Sequence, residues 1–198
     1  ASKKISGNID EWGQDLRSAL KAHQKYGGLP LEDVPEGVKS LSNESLRDFN
    51  VFSFELKEKA FKQRKKSYFT TKGQYDAFDN IRASIWQFRN EKQGVIIGVG
   101  FSWSLSQYIL DTIGQGYGHA MYLTGWDKDG LIAVNSYGES AGKNGKHRIT
   151  REVINEFVGK YGAYMMLDID PDEVKRQLTS KPCYVTIWEQ IKLWISSI

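Results

Sequence analysis

Cysteine is nearly absent from this chain of 198 residues, with Cys183 the only one. No intrachain disulfide can form. Secreted domains of this size often carry disulfides, so the count points to a reducing compartment or to a particle assembled in one. Long apolar runs are missing as well. The N-terminal ASKKISGNIDEW carries two lysines but no apolar core, so it does not read as a secretory signal. Nothing approaches the length of a membrane span, and the apolar tail CYVTIWEQIKLWISSI is broken by Glu189, Gln190 and Lys192. Charge of one sign is not in large excess, since a net charge of +3 argues neither for nor against an anionic partner. Internal repeats and low-complexity tracts are also lacking. The remainder is ordinary for a soluble globular protein: 40% hydrophobic, 26% charged and 13% aromatic residues. That supplies material for one large domain or for two small lobes sharing a core.

Periodicity divides the chain into a helical first part and a β-rich second part. From Ile9 to Tyr26 the apolar residues Ile9, Trp12, Leu16, Ala19, Leu20 and Ala22 recur at helical spacing, with Asn8 or Asp10 as cap and Gly27-Gly28 as stop. GGLPLEDVPEG reads as an extended connector, because each proline disfavours helix in the residue before it. ELKEKAFKQRKKSYF is expected to be helical, supported by Glu55 and Glu58 four residues before Lys59 and Lys62, and its basic run is read as a solvated face. A second helix is expected over Gln74 to Asn90. Beyond Gly94 come VIIGVGF, AMYLTGWD, GLIAVNSYG, KHRITR and YGAYMMLDI, all strand-length pieces. DKDG between two of them is a hairpin signal, and REVINEFVGKYG is a short helix or turn. This order implies an α+β fold with a curved antiparallel sheet.

Two stretches carry the chemistry. The first is GHAMYLTGWD, containing His119, and the second is NSYGESAGKNGKHRI, opening at Asn135 sixteen residues later. Each polar residue stands at the edge of an apolar strand beside glycine-rich backbone. Their content and spacing resemble the papain-like cysteine peptidases. In that family a histidine stands in a G/D-H-A-h-x-h-x-G-[YW]-D context, followed at the same distance by N-S-W-G-x-x-W-G-x-N-G-[YF]-x-R-I. SALKAHQKYGGLPLEDVP resembles the family's left-lobe helix and following connector, and GVIIGVGF the strand before the histidine, so the likeness spans roughly Asn8 to Ile169.

The resemblance implies a papain-like two-lobe fold in a single domain. The helical lobe would occupy about 1–75, the β-rich lobe with His119 and Asn135 would occupy 76–170, and 171–198 would be a C-terminal segment. It implies a thiol hydrolase of peptide or isopeptide bonds, which needs no metal or cofactor. His119 would be the general base paired with a cysteine thiolate, and Asn135 would accept a hydrogen bond from its imidazole. Tyr137 stands where the family has a tryptophan shielding that pair. Ala141 stands in place of a second tryptophan, which would thin one wall of the site. His23 and His147 have no such context and are expected at the surface. A peptide or protein substrate is expected, and no nucleic acid.

The family's nucleophile lies upstream of the histidine, at the start of a central helix, yet no cysteine precedes His119 here. Two readings stand. In the first, the chain is circularly permuted. Val174-Lys175-Arg176-Gln177 then matches the family's V-K-N-Q, Cys183 follows Gln177 by six residues, and a helix runs from Cys183 to Ile198. Cys183 would be the nucleophile, with Gln177 and the Cys183 N–H holding the oxyanion. Leu178 and Lys181 replace the family's glycines, and Pro182 precedes the cysteine. In the second reading the nucleophile is absent. The chain is then an inactive module serving as a structural or binding subunit, and Tyr184, Trp188, Leu193 and Trp194 dock a protein partner.

Overall fold

Alternation of buried and exposed residues along the strands sets the architecture. A computed structural model describes residues 15–42, 45, 49–71, 76–91, 93–101, 104, 106–113 and 117–180. Asn8, Asp10, Cys183 and the expected terminal helix lie outside these residues. The described strands are β1 (Ser67–Thr70), β2 (Val95–Phe101), β3 (Ile109–Leu110), β4 (Tyr117–Trp126), β5 (Leu131–Val134), β6 (Lys146–Ile149) and β7 (Ala163–Leu167). They form one sheet in the order β1-β7-β2-β4-β5-β6-β3. Every pairing is antiparallel except the short parallel contact of β3 with β6. Val95, Ile97 and Val99 of β2 and Met121 and Leu123 of β4 are buried at every second position and face one core. Burying each such side chain contributes about 1.5–3 kcal/mol.

The helices are α1 (Leu16–Tyr26), α2 (Glu36–Lys39), α3 (Phe54–Lys62), α4 (Ala77–Gln87), α5 (Arg151–Tyr161) and α6 (Pro171–Ser180). In α4, Phe78, Ile81 and Ile85 repeat at intervals of three and four, so one stripe faces the core, and Phe88 at its C-cap extends it. Helix α4 packs against β2 and β4, and α5 against α4 and β2. Their N-termini are clamped together: Arg151 at the start of α5 bonds both Asp76, the α4 cap, and Asp79, at 2.8 Å from the latter, and Asn155 Oδ1 accepts from the Phe78 N–H at 3.0 Å.

The α+β architecture expected from the sequence is the one found, with local differences. Helix α1 is capped by Asp15, which accepts from the Ser18 N–H at 2.8 Å, and it ends at Gly27 as expected. Gly27 has a φ of 77°, and a Cβ there would lie 1.6 Å from the Ala60 carbonyl oxygen, so only glycine lets α1 meet α3. The charged helix is shorter than expected. It stops at Lys62, and Ser67-Tyr68-Phe69-Thr70 forms β1, because these residues gain a complete ladder against β7. The sheet therefore takes an edge strand from before residue 75. Of the anticipated ion pairs, Glu58–Lys62 forms at 3.2 Å, whereas Lys59 reaches across to Asp33 at 2.5 Å. Among the described residues no helix is long and apolar enough to cross a membrane.

DKDG closes the β4–β5 hairpin. Asp127 Oδ1 accepts from the Asp129 and Gly130 N–H groups at 2.9 and 3.1 Å, and its Oδ2 takes both Nε and an Nη of Arg148 at 2.8 and 2.5 Å. Burial disfavours the charge of Asp127, but these donors outweigh burial and hold its carboxyl below the usual carboxylate range. The same balance holds at Asp76, where burial is outweighed by the Asp79 N–H and by Arg151 and Asn155. Because both folded-state values are lowered, their stabilisation is fully present above the unfolded value of about 4 and is lost as pH falls below it. The urea midpoint is therefore expected to fall more steeply on acidification in wild type than in Asp127→Asn. Equal pH slopes for the two proteins would contradict this assignment.

Candidate active site

Three neighbouring strands each bring one polar side chain to the same face at the same end of the sheet. His119 is the third residue of β4, opposite Val99 of β2. Asn135 follows directly on β5, where its N–H donates to the Gly145 carbonyl at 3.0 Å. His147 is the second residue of β6, opposite Ala133. His119 is half-buried, while Asn135 is 7% and His147 1% exposed.

A bulge makes this possible. From the hairpin, Trp126 pairs with Leu131 and Gly125 with Ile132. The register then slips past Thr124, and Leu123 pairs with Ala133 and Tyr122 with Val134. One extra residue exchanges the faces of everything beyond it. In the hairpin's own register, Asn135 would continue opposite Tyr122 and lie on the face away from His119. The slip places it on the row that Met121 and His119 share.

Hydrogen bonds assign both ends of the carboxamide and three of the four ring nitrogens. The Ser136 N–H donates to Asn135 Oδ1 at 2.8 Å, so that end of the carboxamide is the oxygen. His119 Nε2 lies 2.9 Å from the same oxygen and must donate to it. This leaves Nδ1 as the basic nitrogen of a neutral imidazole. Asn135 Nδ2 donates in turn to His147 Nε2 at 3.1 Å, and His147 Nδ1 donates to the Gln107 carbonyl at 2.7 Å. The Tyr137 ring stacks on His119, with centroids 5.0 Å apart and planes 17° from parallel, and so covers one side of the pair. Ala141 is buried, with its carbonyl accepting from the Gly145 N–H at 2.9 Å. Gly142 has a φ of 55°, and a Cβ there would stand 2.2 Å from the Lys146 carbonyl oxygen and 3.0 Å from the His147 ring. Glycine is thus required for the loop to close over that imidazole.

Xylellain, a cysteine protease from Xylella fastidiosa, aligns in structure with a TM-score of 0.61, over 85% of this chain and 67% of its own, at 16% sequence identity. The fold is that of the papain-like cysteine peptidases. The clostridial cysteine protease Cwp84, after propeptide cleavage, aligns with a TM-score of 0.51 over 78% of this chain at 13% identity, and this chain spans 40% of its length. At such identities the likeness is one of fold. No family model and no curated protein matches the sequence.

Within this papain-like fold the structure brings together two of the four expected site residues, His119 and Asn135. Gln177 lies on α6. Its side-chain amide donates to Glu173 Oε1 at 2.7 Å, and its main-chain carbonyl accepts from Gln87 Nε2 of α4 at 2.7 Å. The Gln177 amide, followed by Arg176, holds the Glu173 carboxyl below its usual range. Val174 to Gln177 form a helical turn, and Cys183 is outside the described residues. His147 corrects the expectation that it is a surface residue. It is buried and shares the Asn135 amide with His119. The signal was present in K-H-R-I, where charged residues on either side of His147 turn it inward with Ile149. His23, also expected at the surface, is half-buried on α1; burial, then Lys65, lowers its pKa. Among the described residues no cluster of three or more His, Cys, Asp or Glu could hold a metal ion.

Replacing Asn135 by Ala would strip His119 and the buried His147 of their shared partner. An unsatisfied buried group of this kind costs about 1–3 kcal/mol. Urea denaturation should show a loss of that size. A change indistinguishable from zero would mean that solvent already satisfies both rings.

Proposed function

We propose that this chain is a thiol hydrolase of peptide or isopeptide bonds, with His119 as base, Asn135 as its orienting partner and Cys183 as nucleophile. The observation that carries this reading is the directed bond from His119 Nε2 to Asn135 Oδ1 beneath the Tyr137 ring, set in a papain-like fold. The Nε2 proton is committed to Asn135, so the chemistry falls to Nδ1. That nitrogen takes the thiol proton, and the thiolate attacks the scissile carbonyl carbon. His119 then returns the proton to the leaving amine as the C–N bond breaks, leaving a thioester. Water attacks the thioester, His119 accepts its proton, and the C–S bond breaks to release the carboxylic acid and restore the thiol. Asn135 steadies the imidazolium formed in both halves. No metal or cofactor enters these steps, and the substrate is a peptide or protein.

The Gln177–Glu173 bond favours a second reading, because it engages the amide that the oxyanion would need. In that reading the chain is an inactive papain-like module, a structural or binding subunit that docks a protein partner through its C-terminal segment.

A peptidyl vinyl sulfone, with the modified residue located by mass spectrometry, separates the two. The first reading expects Cys183 to be labelled, at a rate reduced about 10²–10⁴-fold in His119→Ala, the usual contribution of a general base. Equal labelling rates in wild type and His119→Ala would overturn the peptidase reading and leave the binding module.

A further inference from the structure

We infer that His147 is a positioning residue for the candidate site, the acceptor that locks the Asn135 carboxamide in the one orientation that serves His119. The inference rests on the hydrolase reading for its purpose, but its geometry stands apart from turnover. A carboxamide can be flipped with almost no change in shape. The flipped form would turn Nδ2 toward His119 and leave Nε2–H of the base facing a second donor.

Two features hold the flip off. The Ser136 N–H binds Oδ1 from one side at 2.8 Å. From the other side His147 Nε2 accepts from Nδ2 at 3.1 Å, in a place only 1% exposed. Because Nδ1 of His147 donates to the backbone carbonyl of Gln107 at 2.7 Å, and a carbonyl cannot donate in return, the single-proton form of the ring has Nε2 as its acceptor. A main-chain oxygen therefore sets the tautomer of His147, which sets the Asn135 amide, which sets the tautomer of His119. Each link has its donor and acceptor assigned, and each is buried or half-buried, where reversing a single bond leaves two like groups facing one another. The fold also shapes itself around the ring: Gly142, with a φ of 55°, avoids a Cβ 3.0 Å from it.

The test is imidazole nitrogen NMR on the full chain, combined with kinetics. In wild type His147 is expected as the Nδ1–H tautomer and His119 as the Nε2–H tautomer. His147→Leu keeps the apolar bulk but removes the acceptor, and His119 should then lose its single tautomer. His147→Gln, whose carboxamide presents an acceptor to Asn135 and a donor to Gln107, should restore it. With a peptide substrate, His147→Leu should lower kcat about ten- to hundredfold with KM nearly unchanged, the size expected for a misplaced catalytic group, and His147→Gln should recover most of it. An Nε2–H or doubly protonated His147 in wild type, or an unchanged His119 tautomer in a folded His147→Leu, would overturn the inference. If His147→Leu does not fold, the wild-type tautomer of His147 decides alone. Correct tautomers in a protein without turnover would refute the hydrolase reading and leave the His147 assignment standing.

Discussion

Side chains on a strand alternate between two faces, and the candidate site depends on where that alternation is interrupted. His119 and His147 lie on β4 and β6, Asn135 directly follows β5 between them, and all three point the same way at one end of the sheet. The extra residue at Thr124 puts them there. Above the slip, toward the hairpin, Trp126 pairs with Leu131; below it the parity is exchanged and the His119 row faces the Asn135 row. The strands thus serve two ends at once, a closed hairpin stapled by Asp127 and Arg148 and an open end bearing polar groups.

Burial then turns proximity into direction. A carboxamide between two imidazoles could be arranged in several ways in water, where every group finds a partner. At 7% and 1% exposure Asn135 and His147 have no such freedom, and each hydrogen must meet an acceptor within the protein. Two main-chain groups, the Ser136 N–H and the Gln107 carbonyl, have fixed roles, and they orient the three side chains between them. The Tyr137 ring lies over the half-buried member of the series, His119, where solvent would compete most for the bond to Asn135.

Much of this was legible in the chain. The buried strand VIIGVGF, the DKDG turn and the Gly27 stop follow from local composition and turn chemistry, and the structure has them in place. The His119 and Asn135 motifs were legible through their resemblance, in content and spacing, to those of the papain-like peptidases. Local pattern misled at Ser67–Thr70. A helical run of charges seemed to continue there, but pairing with β7, some hundred residues away, prevailed. His147 lacks the motif context of His119 and so reads as a surface residue, whereas strand alternation sends the residue between Lys146 and Arg148 inward.

By itself, then, the sequence determined most of the element types, the apolar rows and the pair of polar residues, since each depends on spacing over a short stretch of chain. The tertiary structure alone decided that Thr124 would be the extra residue, that the Gln107 carbonyl would reach His147, and that Gln87 would reach the Gln177 main-chain carbonyl. Those outcomes depend on which strand lies beside which, and on the requirement that every buried donor find an acceptor. Both are properties of the assembled sheet and not of any segment within it.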